Sequence, residues 1–217
     1  MKHTIVVNLI GGPGSGKSTT AAGLFYNLKK LGVNCEMALE YAKDKVYEES
    51  FKTMDDQLYI FGKQYHRMWR LKNLVDVIIT DSPLLLSIYY NKTKSNYFED
   101  LIVEQYNKFN NMLYILKRDN IEFKQEGRIQ NEEESKHIDM EVKNILDRNN
   151  ISYIEISTLD AIEKITEDVV NKLNDNRCCN NCWTKNCEHY NEYFENGLCE
   201  KYLRNKSQES PLPLGMG

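Results

Sequence analysis

Nine consecutive residues near the start, Gly11-Gly12-Pro13-Gly14-Ser15-Gly16-Lys17-Ser18-Thr19, restrict what this chain can fold into more than any other stretch. They satisfy the pattern G-x-x-x-x-G-K-[ST] in full. An apolar run, Ile5-Val6-Val7-Asn8-Leu9-Ile10, leads into them, and Ala21, Leu24, Phe25, Leu28 and Leu31 follow at the spacing of one helical face. A strand, a glycine turn and an amphipathic helix in that order give each residue of the turn a physical task. Gly12, Gly14 and Gly16 let the backbone take positive φ and bring its N–H groups, with those of Ser15 and Thr19, up to anionic oxygens. Lys17 adds a point charge for β- and γ-phosphates, Ser18 a hydroxyl for Mg²⁺, and the helix its positive end. The expectation is a cradle for the triphosphate of ATP and its Mg²⁺.

The alternation of strand and helix continues along the chain. Strands are expected over residues 4–10, 34–39, 75–80, 111–116 and 152–156. Helices are expected over 18–31, 55–73, 97–109 and 160–173, with a further one opening at the capping-box pair Asn131 and Glu134. In the 55–73 helix, Leu58, Phe61, Tyr65, Met68 and Trp69 read as one stripe. The predicted class is therefore α/β, a P-loop NTPase three-layer sandwich with a five-stranded, mostly parallel sheet. The chain's 217 residues suffice for one such domain and a small appendage.

Periodicity is lost after residue 174. We read 1–174 as the P-loop domain, 177–206 as a cysteine-rich module and 207–217, with Pro211, Pro213, Gly215 and Gly217, as a flexible tail. No apolar run reaches the length of a membrane span, and the first one ends in glycines, so it reads as a strand and not as an export signal. The expected location is the cytoplasm. A net charge of −4 lacks the basic surplus that gripping nucleic acid by its phosphates usually requires, and it favours a small-molecule substrate.

The third expected strand ends in Thr80-Asp81-Ser82-Pro83. A carboxylate at the carboxyl end of a strand beside the glycine loop is where an acid that organises Mg²⁺ belongs, so Asp81 joins Ser18 as an expected ligand. The alternative is an aspartate that only caps the following turn.

Five stretches in this order carry a wider likeness: GGPGSGKSTTAAGLFYNLKKLG, LEYAKD at 39–44, QLYIFGKQ at 57–64, IITDSPLLLS at 78–87 and GRIQNEEES at 127–135. The chain resembles the small P-loop kinase-like ATPases of bacteriophages, related to the AAA-type domain of ribosylnicotinamide kinases. The resemblance implies a nucleoside- or nucleotide-kinase-like fold and, if the chain is phage-encoded, residence in the host cytoplasm. Similar nucleoside kinases place an acid where Glu40 follows the second strand. Glu40 would then take or orient the proton of an attacking hydroxyl, with Tyr41 beside it in the acceptor set. Gln57 and Gln64 share a helical face, and the Gln64 carboxamide has the donor and acceptor to read a nucleobase edge, with Tyr65 and Trp69 nearby to stack on it. Kinase-like folds carry a lid after the fourth strand, where Arg118, Lys124 and Arg128 lie. Arg128, next to the hinge glycine Gly127, is the leading candidate to close on the transferring phosphate. Against each of these stands a bland reading as a salt-bridging, surface or core residue.

Five of the six cysteines crowd into the last forty or so residues. Cys179, Cys182, Cys187 and Cys199 give C-x2-C-x4-C-x11-C, a spacing that suggests Zn²⁺ held by four thiolates, with Cys178 or His189 able to replace one ligand. The phage kinase-like relatives usually stop near the last helix, so this segment departs from their pattern.

The leading expectation is an ATP-dependent phosphotransferase acting on a nucleoside, nucleotide or related small acceptor. A variant acts on a modified base or end in DNA. The rivals are an ATP-driven switch whose tail docks a partner and a nucleotide-binding module without turnover.

Overall fold

A computed structural model of the chain describes residues 4–118 and 132–178. Two compact units are delimited, Met1–Ile165 and Thr166–Gly217. The described elements are β1 (Ile5–Ile10), α1 (Lys17–Lys30), β2 (Cys35–Met37), α2 (Tyr41–Tyr47), α3 (Phe51–Met54), α4 (Gln57–Trp69), β3 (Val77–Thr80), α5 (Leu86–Tyr89), α6 (Asn96–Asn107), β4 (Asn110–Lys117), α7 (Glu132–Arg148), β5 (Ile154–Ser157) and α8 (Ala161–Cys178). The described part of the second unit is the later portion of α8.

The sheet has five strands in the order β2-β3-β1-β4-β5, and all four pairings are parallel. The α/β class and the strand count expected from the sequence are what the structure shows. β1 is central and every one of its residues is buried, which is why its sequence is a near-continuous apolar run instead of an alternating one. Its exception, Asn8, spends its amide on Val6 O at 3.1 Å and on Asn111 Oδ1 of β4 at 3.0 Å. From β1 the chain runs outward to β2, returns through β3 to β1's flank, and then crosses to β4 on the other side. Such a reversal opens a crevice beyond the carboxyl ends of the strands, and the glycine loop enters there.

The helices depart from the sequence reading in phase and number. α1 buries Thr20, Ala21, Leu24 and Leu28, close to the expected face. α4 instead buries Ile60, Phe61, Gln64 and Met68 and leaves Leu58 and Trp69 exposed, so the stripe expected there is rotated. Tyr65 packs on Phe61 and Phe109, with ring centroids 6.2 and 6.1 Å apart, partly buried against the core. α2, α3 and α5 lie in segments the sequence reading left without elements, and at seven, four and four residues they are too short to show a helical period.

Candidate active site

At the end of β1 the chain turns through Gly11, Gly14 and Gly16, all at positive φ, and Gly16 at φ 81° caps α1. A β-carbon on Gly16 would meet Thr158 Cγ2 at 2.7 Å as well as straining the backbone, so both conformation and space demand glycine. Thr158, at the exit of β5, donates its hydroxyl to Lys117 O at 2.7 Å and lies 3.1 Å from Ser15 O, which braces the loop from behind. Lys17 curls back over the turn, its Nζ donating to Gly11 O at 2.7 Å and Gly12 O at 3.0 Å. Burial lowers the pKa of this ammonium, while the charges of Glu40, Asp81 and Asp139 pull it back up.

Asp81 directly follows β3 and is buried. Its Oδ2 accepts the Ser18 hydroxyl proton at 2.7 Å, and its Oδ1 accepts the Glu40 N–H at 3.1 Å. Two residues 63 positions apart thus place a hydroxyl and a carboxylate together beside the phosphate turn. Both are hard oxygen donors, and the hydroxyl's lone pairs stay open when its proton rests on Asp81. The pair suits Mg²⁺.

Glu40 stands at the N-terminus of α2, half-buried. Burial raises its carboxyl above the usual carboxylate range. The Lys17 charge opposes that rise and the Asp81 charge adds to it. Gln64 holds this corner in place. Its Oε1 accepts the Tyr41 N–H at 2.9 Å, and its Nε2 donates to Ala38 O at 3.3 Å and Thr80 Oγ1 at 3.4 Å. These contacts tether the β2–α2 turn to β3, and Gln64 also lines the cavity beside the glycine loop. Gln57 donates to Met54 O at 2.7 Å and lines the same cavity. Tyr41 does not line that cavity. Its hydroxyl meets Tyr59 at 2.9 Å, and Arg67 lies over its ring at 5.1 Å.

The glycine loop and a second wall share one cavity of about 310 Å³. The wall opposite the loop is formed by Tyr47 of α2, Met54 of α3, Ile60 of α4, Leu86 of α5, Tyr90 just after α5, and Ile138 of α7. Tyr90 is 37% exposed as a residue; desolvation, and then the Glu40 charge, push its hydroxyl above the ordinary tyrosine range. The structure brings together Lys17, Ser18, Asp81 and Glu40. It places Arg118 on the outer side of the glycine loop, paired with Asp139 at 2.8 Å. Lys124, Arg128, Asn131, Cys179, Cys182, Cys187, His189 and Cys199 lie outside the described residues, and the side chain of Cys178 is likewise not described. Among the described residues no group of three or more His, Cys, Asp or Glu is arranged to hold a metal ion. No described helix is long and apolar enough to cross a membrane. Sequence reading gave no role to Tyr90, Asp139 and Thr158, which carry no motif, or to Ser135, which closes the GRIQNEEES stretch; all four reach the site through tertiary contact.

A family profile described as an AAA domain matches residues 6–164. No curated protein matches. Among solved structures, a crystal structure of NadR protein in complex with NR superposes with a TM-score of 0.58 at 18% identity, covering 78% of this chain and 50% of that one. NadR in complex with NAD and AMP-PNP gives 0.56 at 18% identity, covering 79% and 50%. A structure of deoxyadenosine kinase from M. mycoides with bound dCTP gives 0.45 at 19% identity, covering 78% and 99%. The chain spans about half the length of the NadR chains, and at such identities the likeness is one of fold.

Proposed function

The chain belongs to the AAA domain family, and from that premise we propose that it is an ATP-dependent phosphotransferase. It would move the γ-phosphate of ATP to a hydroxyl or phosphate of a nucleoside, nucleotide or related small acceptor. The observation that carries the reading is that Lys17, Ser18, with Asp81 hydrogen-bonded behind it, and Glu40 meet at one continuous cavity, half glycine loop and half a wall of apolar, tyrosine and polar side chains. For a nucleotide switch the first three would suffice. The added wall, with a carboxylate at its mouth, gives room for a second substrate.

In this reading the loop's N–H groups and Lys17 bind the triphosphate and stabilise charge on the transferring group. Ser18 and Asp81 would hold Mg²⁺, which neutralises charge on phosphate oxygens. An acceptor hydroxyl oxygen forms the new bond to the γ-phosphorus, the bond from that phosphorus to the bridging oxygen of ADP breaks, and the hydroxyl proton passes to Glu40. A carboxylate whose pKa is raised by burial is better matched to that proton than an ordinary one. Arg128 enters this proposal from the sequence alone, as the cation on the transferring phosphate. Zn²⁺ on Cys179, Cys182, Cys187 and Cys199 enters in the same way. Metal analysis of the purified chain tests it, and less than about one zinc per chain would reject it.

Because NadR structures hold NR and AMP-PNP, a nucleoside-like acceptor with an adenine triphosphate is the first combination to try. The deciding experiment incubates the protein with γ-labelled ATP, Mg²⁺ and a panel of nucleosides, mononucleotides and oligonucleotides. Labelled small acceptor supports the proposal. Labelled oligonucleotide selects the DNA-directed variant, phosphate release alone an ATPase switch, and binding without either a sequestering module.

A further inference from the structure

The first turn of the glycine loop is held by side chains from outside its motif. Arg118 comes from the residue after β4, and Ser135 and Asp139 lie four apart on one face of α7. Asp139 Oδ1 accepts the Gly12 N–H, and its Oδ2 lies 2.8 Å from Arg118 Nη1. Arg118 Nη2 donates to Pro13 O at 3.2 Å and to the Ser135 hydroxyl. Ser135 Oγ in turn reaches Pro13 O at 2.5 Å. Ser135 is fully buried, and only 12% of the Arg118 side chain is exposed. A β-carbon on Gly12 would lie 2.4 Å from Ser135 O and 2.7 Å from Arg118 Nη2, so this approach is open only to glycine.

Planarity of the peptide unit turns these contacts into an aiming device. Within one trans unit the C=O and the following N–H point in opposite directions. Gly11 O is taken by Lys17 and the Gly12 N–H by Asp139, which fixes the first unit at both ends. Gly12 O is also taken by Lys17, and Pro13 has no N–H to place. In the third unit, Pro13 O is drawn outward to Arg118 and Ser135, so the Gly14 N–H is turned the other way, and Gly14 lines the cavity. Gly14 therefore supplies the first N–H past Gly12 that the loop can offer to an anion.

We propose that Arg118, Ser135 and Asp139 are positioning residues that aim the Gly14 N–H at phosphate oxygens and so set the affinity for a triphosphate in particular. The proposal rests on the reading of this cavity as an ATP site. Asp139→Asn keeps a carbonyl for the Gly12 N–H but removes the charge that holds Arg118. Ser135→Ala removes a single hydroxyl and is the milder change, should the first variant fail to fold. Calorimetric titration of the full chain with AMP-PNP and with AMP, both with Mg²⁺, separates the outcomes. The expected result is a loss of about tenfold in AMP-PNP affinity with AMP affinity unchanged, a size in keeping with one charge-assisted hydrogen bond. Parallel weakening of both ligands, or a drop in Tm with their ratio unchanged, would reduce these residues to structural clamps and overturn the proposal. So would wild-type affinity in both variants. A wild-type protein that takes up no AMP-PNP would instead remove the ATP reading itself, and this proposal with it.

Discussion

Residues 11–19 supply one half of the cavity from consecutive positions, whereas the half facing them is assembled from α2, α3, α4, α5 and α7, between Glu40 and Ile138. The two halves also differ in substance. The loop works through backbone groups, one ammonium and one hydroxyl, the natural vocabulary for an anion. The wall carries aliphatic side chains and tyrosine rings around a single carboxylate, with Lys43, Gln57, Gln64 and Ser87 among them. In the proposed reading, phosphate recognition would be a local property of the chain, and acceptor choice a property of its tertiary structure.

Removing the cation from the loop is the most severe way to test that division. Lys17→Ala deletes the ammonium that faces the phosphates and leaves Gly11 O and Gly12 O without their donor. Phosphoryl transfer should fall by about a thousandfold or more, measured as labelled product per minute at saturating acceptor. Near-normal turnover would mean that the loop half is not the catalytic one.

Glu40→Gln should break the halves apart, because it removes the wall's carboxylate and leaves every loop residue in place, altering the loop only through the charge felt by Lys17. A loss of about a hundredfold in transfer is expected, with a far smaller change in the Kd for AMP-PNP. In the wild type, the rate should rise with pH to a plateau whose inflection lies above the ordinary carboxylate range, since burial raises that carboxyl and only its ionised form accepts a proton. The Gln variant should lose that inflection. Stability carries the opposite sign. Ionised Glu40 is disfavoured in the folded state, so the variant should be the more stable protein at neutral pH. That advantage should shrink as pH falls below the raised pKa and be gone once pH is below the carboxyl's ordinary value, where Glu40 is protonated folded or unfolded. A variant with wild-type rates at every pH would remove Glu40 from the chemistry.

Local construction also explains what could be read in advance. The loop, β1 and α1 were legible because pattern, strand and helix are contiguous, and Asp81 because it closes an apolar strand. Of the corner across from the loop, only Glu40 carried a sequence signal, its place after the second strand. Gln64 has the spacing of a surface glutamine, yet its partners lie 23 and 16 positions away in sequence at Tyr41 and Thr80, so only the folded chain shows that it is buried and satisfied. Asp139 stands 127 positions from the Gly12 N–H it accepts and sits in a helix that reads as an ordinary charged one. The phase of α4 was misread for a related reason. Leu58 and Trp69 are apolar but exposed, and a buried glutamine replaces them on the inner face.

Gln64→Leu sharpens the comparison from the structural side. It keeps volume but leaves the Tyr41 N–H without an acceptor in a buried corner, at a cost of about 1–3 kcal/mol. A fall in Tm of about 5 °C is expected by thermal melt. Glu40 should lose its position at the same time, so transfer should fall several-fold more than ATP affinity does. Equal losses in the two would show that Gln64 supports the loop as much as the wall.

The smallest effect expected is at Tyr90, and it bears on what the wall recognises. Tyr90 lines the cavity, and its hydroxyl is kept protonated by burial and by the charge of Glu40. In the proposed reading, a protonated phenol near the carboxylate that takes the proton would donate a hydrogen bond to the acceptor molecule and take no part in moving its proton. Tyr90→Phe keeps the ring and removes that donor. If the ring does most of the work, acceptor KM should rise by only about threefold while kcat and the pH inflection set by Glu40 stay in place. A large fall in kcat would make the hydroxyl part of the reaction, and the wall would then share in the chemistry of transfer as well as in the choice of acceptor.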